Sequence, residues 1–146
     1  MNGAFAHGIG VDILHLPRLL SLLSRRPISK FTRRILTPNE LAEFQKLSSI
    51  DPPNPSSTSL LSNPATRFLA TRWAAKEAAY KASINLIPTT KEQWMGWKNF
   101  EILKGSRGEP LLTIRDGGGE KIEDGQVSIS HDGEYVIAIA MVPQKL

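Results

Sequence analysis

The sequence of 146 residues contains no cysteine. Disulfide bridges, thiolate nucleophiles and cysteine-ligated zinc sites are therefore excluded. The three histidines, His7, His15 and His131, are too scattered to match a zinc-ligand motif, so any bound metal is expected to be a hard cation held by oxygen atoms. The chain also lacks any apolar stretch close to the roughly 20 residues that a membrane-spanning helix requires.

Acidic residues are missing from one long segment near the start of the chain. The formal net charge is +4, which indicates an anionic partner. Between Leu16 and Thr37 there is no acid, and the basic residues are Arg18, Arg25, Arg26, Lys30, Arg33 and Arg34. A nucleic-acid backbone, an acidic protein helix or a membrane surface would each suit such a segment. Charge alone does not identify the partner.

The first half of the chain is predicted to contain one strand and three helices. The strand covers 7–13, and the leucines that follow recur with helical spacing at Leu16, Leu19, Leu20 and Leu23. A second, short helix is predicted over 29–36. Thr37-Pro38-Asn39-Glu40 combines an N-cap, a proline at the first helical position and a glutamate three residues after the cap. This motif predicts a third helix from Pro38 to about Leu47.

The second half is predicted to contain a long helix and an antiparallel sheet. Residues 48–63 are rich in proline and serine, which indicates a flexible surface insertion within a single domain spanning 1–146. Asn63-Pro64 then begins a long helix that continues to about Ser83. Strands are predicted over 100–103, 110–114, 126–130 and 135–141, the last two as a hairpin. The predicted fold class is α+β, with the antiparallel sheet wrapped on the long central helix.

Three short motifs carry chemically active side chains, and each also has a purely structural explanation. Gly8-Ile9-Gly10-Val11-Asp12 ends a strand in a carboxylate, although aspartate often ends a strand by forming a turn. Glu77 and Lys81 lie four residues apart on an alanine-rich helix, the spacing of a surface ion pair contributing ~0.3 kcal/mol. His131 follows Ser130 at a strand end, where a lone histidine is at least as often structural. Taken singly, none of the three motifs is enough to indicate a function.

Taken in order, the motifs closely resemble the phosphopantetheinyl transferases of the holo-acyl-carrier-protein synthase type. The matching patterns are Gly-Ile-Gly-x-Asp-Ile at 8–13, Arg-x-Ala-Ala-Lys-Glu-Ala-x-x-Lys-Ala at 72–82, Gly-x-Pro at 108–110 and Ser-Ile-Ser-His at 128–131. The resemblance extends from Gly8 to Val142, interrupted mainly at 48–63 and near 89–96. It implies transfer of 4′-phosphopantetheine from coenzyme A to a serine of an apo acyl carrier protein, with release of adenosine 3′,5′-bisphosphate.

The resemblance also implies a role for each motif. Asp12 and Glu77 correspond to the family's magnesium ligands, and carboxylates suit the octahedral oxygen shell of Mg²⁺. Lys81 corresponds to the family's lysine at the diphosphate, where it would stabilise the leaving phosphate and donate a proton to it. Glu77 is also the candidate for accepting the serine proton. The catalytic set implied is therefore Asp12, Glu77 and Lys81.

A further set of residues is assigned by the same resemblance to coenzyme A phosphates, or to positioning the groups beside them. The set consists of Arg72, Lys76, Lys81, Ser130 and His131. Gly108-Glu109-Pro110 resembles the family's loop that meets the adenine of coenzyme A. Glu109 departs from the pattern, since a basic residue is common in the family at this place. Arg18, Arg25 and Arg26 would bind the acidic carrier protein. A chain with a single such unit implies a homotrimer with sites between subunits.

Two other functions fit parts of the sequence. A non-catalytic carrier-protein binding module is disfavoured because Asp12, Glu77 and Lys81 are all present. A basic nucleic-acid-binding domain is disfavoured because the basic segment has Phe31 as its only ring. Neither nucleic acid nor a membrane is therefore expected as a partner. The proline- and serine-rich insertion and the arginine-rich start favour a mitochondrial enzyme of a lower eukaryote, with the cytoplasm as the alternative location.

Overall fold

A five-stranded antiparallel sheet and four helices make up the computed structural model, which describes residues 7–53, 63–84 and 96–144. The elements are β1 (His7–His15), α1 (Leu16–Arg25), α2 (Ile28–Ile35), α3 (Pro38–Ile50), α4 (Pro64–Ala82), β2 (Phe100–Lys104), β3 (Pro110–Arg115), β4 (Lys121–Asp132) and β5 (Tyr135–Pro143). A single 3₁₀ turn, Trp97–Asn99, precedes β2. The strand order is β1-β5-β4-β3-β2. The predicted α+β class and the sheet packed on the long helix are confirmed.

Two predicted boundaries differ from the structure by three residues or more. Helix α3 continues through residues 48–50, so the predicted insertion overlaps its end, and Asn63 at the other end is the N-cap of α4; residues 54–62 lie outside the described residues. Strand β4 begins at Lys121 rather than at Gln126. Its first half pairs with β3 and its second half with β5, and the polar residues of the first half show no alternating pattern. The predicted extra residues near 89–96 also lie almost entirely outside the described ranges.

The two predicted helix caps are present. The Thr37 side chain accepts from the backbone N–H of Glu40, and Glu40 Oε2 accepts from the backbone N–H of Thr37 at 2.8 Å. Asn63 Oδ1 accepts from the backbone N–H of Thr66 at 2.8 Å. The amide nitrogen of Asn63 also donates to the carbonyls of Asp51 and Pro52, so one side chain begins α4 and holds the segment after α3 beside it.

Helix α4 lies at the centre of the hydrophobic core. The alanines in its second half are fully buried: Ala74, Ala75, Ala78, Ala79 and Ala82. They pack on β1 and β5, whose inward residues are Leu14, Val136, Ala138, Ala140 and Val142. Glu77 and Tyr80 lie at the edge of this interface, and Lys81 is exposed. Within the described ranges, no helix has the length and apolar composition needed to cross a bilayer.

Two glycines of β1 let the backbone of α4 rest directly on the strand. A Cβ atom at Gly10 would lie 2.0 Å from the carbonyl oxygen of Ala78, and one at Gly8 would lie 2.0 Å from that of Ala82. Neither distance is physically accessible to a real side chain. Because β1 continues past this contact, Asp12 lies next to the C-terminal half of α4. The glycines of the first motif are therefore required by packing.

Gly10→Ala is expected to lower the free energy of unfolding by about 3 kcal/mol, because the added methyl group must displace the backbone of α4. Urea denaturation measures the change. Gly117→Ala is the matched control, since nothing lies within 4 Å of a Cβ atom there and its φ is not positive. The control should change stability by less than about 0.5 kcal/mol. Equal, small effects of both substitutions would contradict the close approach.

Candidate active site

Asp12, Glu77 and Lys81 meet where β1 passes the C-terminal half of α4. Lys81 Nζ donates to Asp12 Oδ1 and to the carbonyl of Val11, both at 2.9 Å, although Lys81 and Asp12 are 69 positions apart in the sequence. Burial raises the pKa of Glu77 and the charge of Asp12 raises it further, while Lys81 and Arg18 act in the opposite direction. Three predicted catalytic residues thus form one electrostatically coupled group.

The two carboxylates of this group are suited to a hard divalent cation. Asp12 raises the pKa of Glu77, and this repulsion between neighbouring carboxylates is what a bound cation relieves. In the part of the chain that the structure describes, no three histidine, aspartate or glutamate side chains cluster into a metal site. Most positions of an octahedral Mg²⁺ shell would therefore be left to water or substrate oxygens, which is how this ion is commonly bound.

A cleft of about 570 Å³ lies between α3, the first half of α4 and the ends of β2, β3 and β4. The residues that line it include the predicted Arg72, Gly108, Pro110 and His131. Three cationic side chains that were not predicted also line it, namely Lys46, Arg67 and Lys104. No short motif marks these three, because they come from separate elements that only the fold brings together. The cleft is predominantly cationic and suits a phosphorylated ligand.

Arg72 is held in the wall of the cleft in a defined orientation. Its guanidinium lies 4.0 Å from the centre of the Phe68 ring, and its Nη2 is 3.4 Å from Glu43 Oε2. Burial lowers the pKa of Arg72, and the charges of Glu40 and Glu43 act against that shift. The buried Nε has no hydrogen-bond partner among the described residues. Arg72 therefore remains a charged, oriented donor at the position predicted for a phosphate contact.

Lys76 does not line the cleft, so of its two predicted roles the contact with a coenzyme A phosphate finds no support in this geometry. The side chain is only 1% exposed. Its Nζ donates to the carbonyl of Ile35 at 2.5 Å, to Glu40 Oε2 at 2.6 Å and to the carbonyl of Trp97 at 3.2 Å. An ammonium has three N–H donors, and all three are used inside the protein. The other predicted role, positioning neighbouring groups, is the one that this geometry allows.

The partner of Lys76, Glu40, connects the helices to the sheet. Its Oε1 accepts from the backbone N–H of Ile102 at 2.9 Å, while Oε2 accepts from Thr37 and Lys76. Burial lowers the pKa of Lys76, and the carboxylate of Glu40 acts against that shift. One buried ion pair therefore joins α4, the end of α2, the start of α3 and β2.

A second buried carboxylate, Glu101, lies close to this ion pair. It accepts from Thr37 Oγ1 at 2.7 Å, from Asn39 Nδ2 at 3.2 Å and from Arg115 Nη2 at 2.8 Å. Burial by itself raises the pKa of Glu101, but these hydrogen bonds and the charge of Arg115 outweigh it, so that the pKa is lowered overall. The start of α3 is thus bound to β2 through two buried glutamates.

Ser130 and the predicted carrier-binding residues lie outside the cleft. Ser130 is exposed and pairs with Ile137, so it lies on the opposite face of β4 from His131. Arg18, Arg25 and Arg26 are exposed on or just after α1. The charge of Arg18 acts on Glu77, which places the basic surface next to the carboxylates. Apart from Lys76 and Ser130, the predicted catalytic and coenzyme A-binding residues therefore form two groups within one chain: the carboxylate–lysine group and the cleft.

Comparisons with known proteins agree with this geometry. The model of the 4′-phosphopantetheinyl transferase superfamily matches residues 8–140. The chain is 39% identical over 147 aligned residues to a mitochondrial 4′-phosphopantetheinyl transferase B of Aspergillus fumigatus, with 91% of each chain covered. It is 36% identical to a holo-[acyl-carrier-protein] synthase of Geobacillus kaustophilus, covering 92% of this chain and 87% of the relative.

A solved structure shows the same fold. The holo-(acyl-carrier-protein) synthase of Bacillus anthracis in complex with CoA (3′,5′-ADP) aligns with a TM-score of 0.65 at 30% identity, covering 94% of this chain and 96% of that one. The chain therefore belongs to the 4′-phosphopantetheinyl transferase superfamily. Within it, the chain is an enzyme of the holo-[acyl-carrier-protein] synthase type, which transfers 4′-phosphopantetheine from coenzyme A to apo acyl carrier protein. The predicted family is confirmed.

Lys76→Met is expected to lower the free energy of unfolding by about 3 kcal/mol, because it leaves the Glu40 carboxylate buried without its cation. Chemical denaturation is the measurement. Lys30→Met makes the same change at an exposed position of α2 and should alter stability by less than about 0.5 kcal/mol. Similar stability of the two variants would contradict the structural role of Lys76.

Proposed function

We propose that Asp12, Glu77 and Lys81 form the catalytic centre for transfer of 4′-phosphopantetheine from coenzyme A to a serine hydroxyl of apo acyl carrier protein. The observation that supports this proposal is their convergence, with Lys81 Nζ 2.9 Å from Asp12 Oδ1 and Glu77 coupled to both charges. The serine oxygen attacks the phosphorus that bears the pantetheine arm, and the bond from that phosphorus to the bridging diphosphate oxygen breaks. The products are holo carrier protein and adenosine 3′,5′-bisphosphate.

Each residue of the group has a distinct task. Asp12 and Glu77 would hold Mg²⁺, which when bound supplies positive charge beside the diphosphate. Glu77 accepts the proton of the serine hydroxyl as the new bond forms. Lys81 donates to the leaving phosphate oxygen, where negative charge develops. Its hydrogen bonds to Asp12 and to the carbonyl of Val11 orient the ammonium beside the carboxylates.

The cleft is the proposed binding site for the nucleotide end of coenzyme A. Its cationic lining offers several donors to phosphate groups, from Lys46, Arg67, Arg72 and Lys104 together with His131. Arg72 provides a rigid guanidinium, because the Phe68 ring and Glu43 hold it in place. Gly108 and Pro110 form the wall against which the adenine would lie.

A homotrimer with sites between subunits is the proposed assembly. Strands β1 and β5 expose a row of large side chains on one face of the sheet, and their exposed fractions range from 41% to 71%: Ile9, Val11, Ile13, Tyr135, Ile137 and Ile139. A continuous apolar surface of this kind supports self-association. Ser130 borders it through its pairing with Ile137, so a second copy on this face would place Ser130 at a subunit boundary. The number of three subunits is inferred from the family resemblance alone.

The basic face of α1 is the proposed docking surface for the carrier protein. Arg18, Arg25 and Arg26 are exposed, and Arg25 is oriented by a 2.8 Å hydrogen bond to the Ser21 hydroxyl. The coupling of Arg18 to Glu77 places one edge of this surface beside the proposed base. Opposite charges would therefore steer an acidic carrier protein so that its serine arrives at Glu77.

A mitochondrial location is proposed for the enzyme, with the cytoplasm as the alternative. The Aspergillus fumigatus relative is a mitochondrial protein, and its similarity covers 91% of this chain. The proline- and serine-rich and arginine-rich segments of the sequence support the same compartment.

Glu77→Gln is expected to lower the rate of transfer about 1000-fold, because the amide cannot accept the serine proton and is a weaker metal ligand. The enzyme is incubated with apo carrier protein, coenzyme A and Mg²⁺, and the carrier is weighed by intact mass spectrometry. Glu120→Gln, an exposed position in the turn after β3, is the matched control and should retain full activity. Retained turnover of Glu77→Gln would refute its role, and a cognate carrier left unmodified by the unaltered enzyme would refute the transfer itself.

Ile139→Asp is expected to convert the trimer to monomers, because it places a charge within the apolar face of β1 and β5. Light scattering coupled to size-exclusion chromatography gives the mass. Leu111→Asp is the matched control, since Leu111 on β3 is 48% exposed and Ile139 is 49% exposed. The control should remain a trimer, and a monomeric unaltered enzyme would disprove the proposed assembly.

A further inference from the structure

The loop between β2 and β3 forms one wall of the cleft. Lys104, Gly108 and Pro110 line the cleft, and all three lie in or next to the segment 105–109. The segment is closed by hydrogen bonds from the Gly105 N–H to the carbonyl of Glu109 at 2.8 Å and from the Gly108 N–H to the carbonyl of Gly105 at 3.0 Å. Gly108 has a φ of 85°, a value that favours glycine. The shape of the loop therefore determines where this wall lies.

The Glu109 side chain folds back into the loop and does not line the cleft. Its Oε2 accepts from the backbone N–H of Arg107 at 2.9 Å. A Cβ atom at Gly105 would lie 2.4 Å from Glu109 Cδ, so the carboxyl group occupies the space directly above Gly105. Gly105, whose own φ is not positive, thus leaves free the space that the Glu109 carboxyl group fills.

We propose that Glu109 is a positioning residue for coenzyme A. Its carboxylate holds the loop closed through a charge-assisted hydrogen bond to the Arg107 N–H, which is stronger than a neutral one. Without that bond, a five-residue loop with two glycines has many more conformations, and the wall formed by Lys104, Gly108 and Pro110 is no longer fixed. Turned inward, the carboxylate stabilises the wall without placing negative charge beside the phosphates. The inference rests on the proposed role of the cleft as the nucleotide site.

Two measurements compare the substitutions of Glu109. Calorimetry gives the Kd of coenzyme A, and steady-state kinetics of carrier modification gives the KM for coenzyme A and kcat. Glu109→Ala should raise both Kd and KM about fivefold while kcat changes less than twofold, because the reacting groups lie elsewhere. Glu109→Gln should stay within twofold of the unaltered enzyme, since its amide oxygen can accept from the same N–H. Glu109→Lys should behave like Glu109→Ala.

Gly105→Ala supplies an independent test, because its methyl group displaces the carboxyl group without removing it. It should raise Kd as much as Glu109→Ala, and the double variant should be no worse than either single one, as for residues that act as a unit. Additive losses in the double variant would overturn the inference. So would unchanged coenzyme A binding by Glu109→Ala, or tighter binding by Glu109→Lys, which would indicate direct contact with the nucleotide from this position.

His131→Ala separates this inference from the role of the cleft. His131 lies on β4 and also lines the cleft, and its loss should weaken coenzyme A binding whatever Glu109 does. Unchanged binding by His131→Ala together with unchanged binding by Glu109→Ala would refute the nucleotide site itself. Weakened binding by His131→Ala with unchanged binding by Glu109→Ala would refute only the role of Glu109.

Discussion

Direct contact between the backbone of α4 and the backbone of β1 is the constraint on which the structure depends. It requires Gly8 and Gly10 on the strand, where any Cβ atom would overlap a helix carbonyl. Alanines complete the helix side of the interface with the smallest side chains that favour a helix. The strand emerges from this contact at Asp12, beside Glu77 and Lys81. Residues from the start and the middle of the sequence therefore reach one proposed catalytic group, because β1 and α4 meet with almost no side-chain bulk between them.

The small side chains of the interface determine the distance between α4 and the sheet. The buried ion pair of Lys76 fixes the orientation of α4 about its own axis. Lys76 is bound inside the protein, whereas Glu77, the next residue, reaches the edge of the sheet beside Asp12. Arg72, one turn before Lys76, lies in the wall of the cleft. A rotation of α4 large enough to move Glu77 would break the contacts of Lys76 with Glu40, Ile35 and Trp97. The cleft and the two carboxylates are thereby held at a fixed position relative to each other.

Much of the fold follows from local chemistry, whereas the long-range polar contacts do not. The capping motif at Thr37 and the Asn63 cap predict the starts of α3 and α4, because a cap is an interaction within four residues. The family resemblance predicts Asp12, Glu77 and Lys81, which the structure brings together. No local pattern indicates that Lys76 is buried, since its partner Glu40 lies on another helix. The sequence alone could predict that Ser130 and His131 lie on opposite faces of the sheet, because neighbouring residues of a strand face opposite sides.

The glycines of β1 also set a limit on how this enzyme can change over evolutionary time. Glycine is the smallest amino acid, so every possible replacement at Gly8 or Gly10 adds atoms against a helix carbonyl. The spacing between strand and helix is therefore already at its minimum. Substitution at either position can only widen the gap between β1 and α4. Adaptation to a different carrier protein or a bulkier coenzyme A derivative is then left to the proposed docking surface and the proposed nucleotide cleft, where side chains can both grow and shrink.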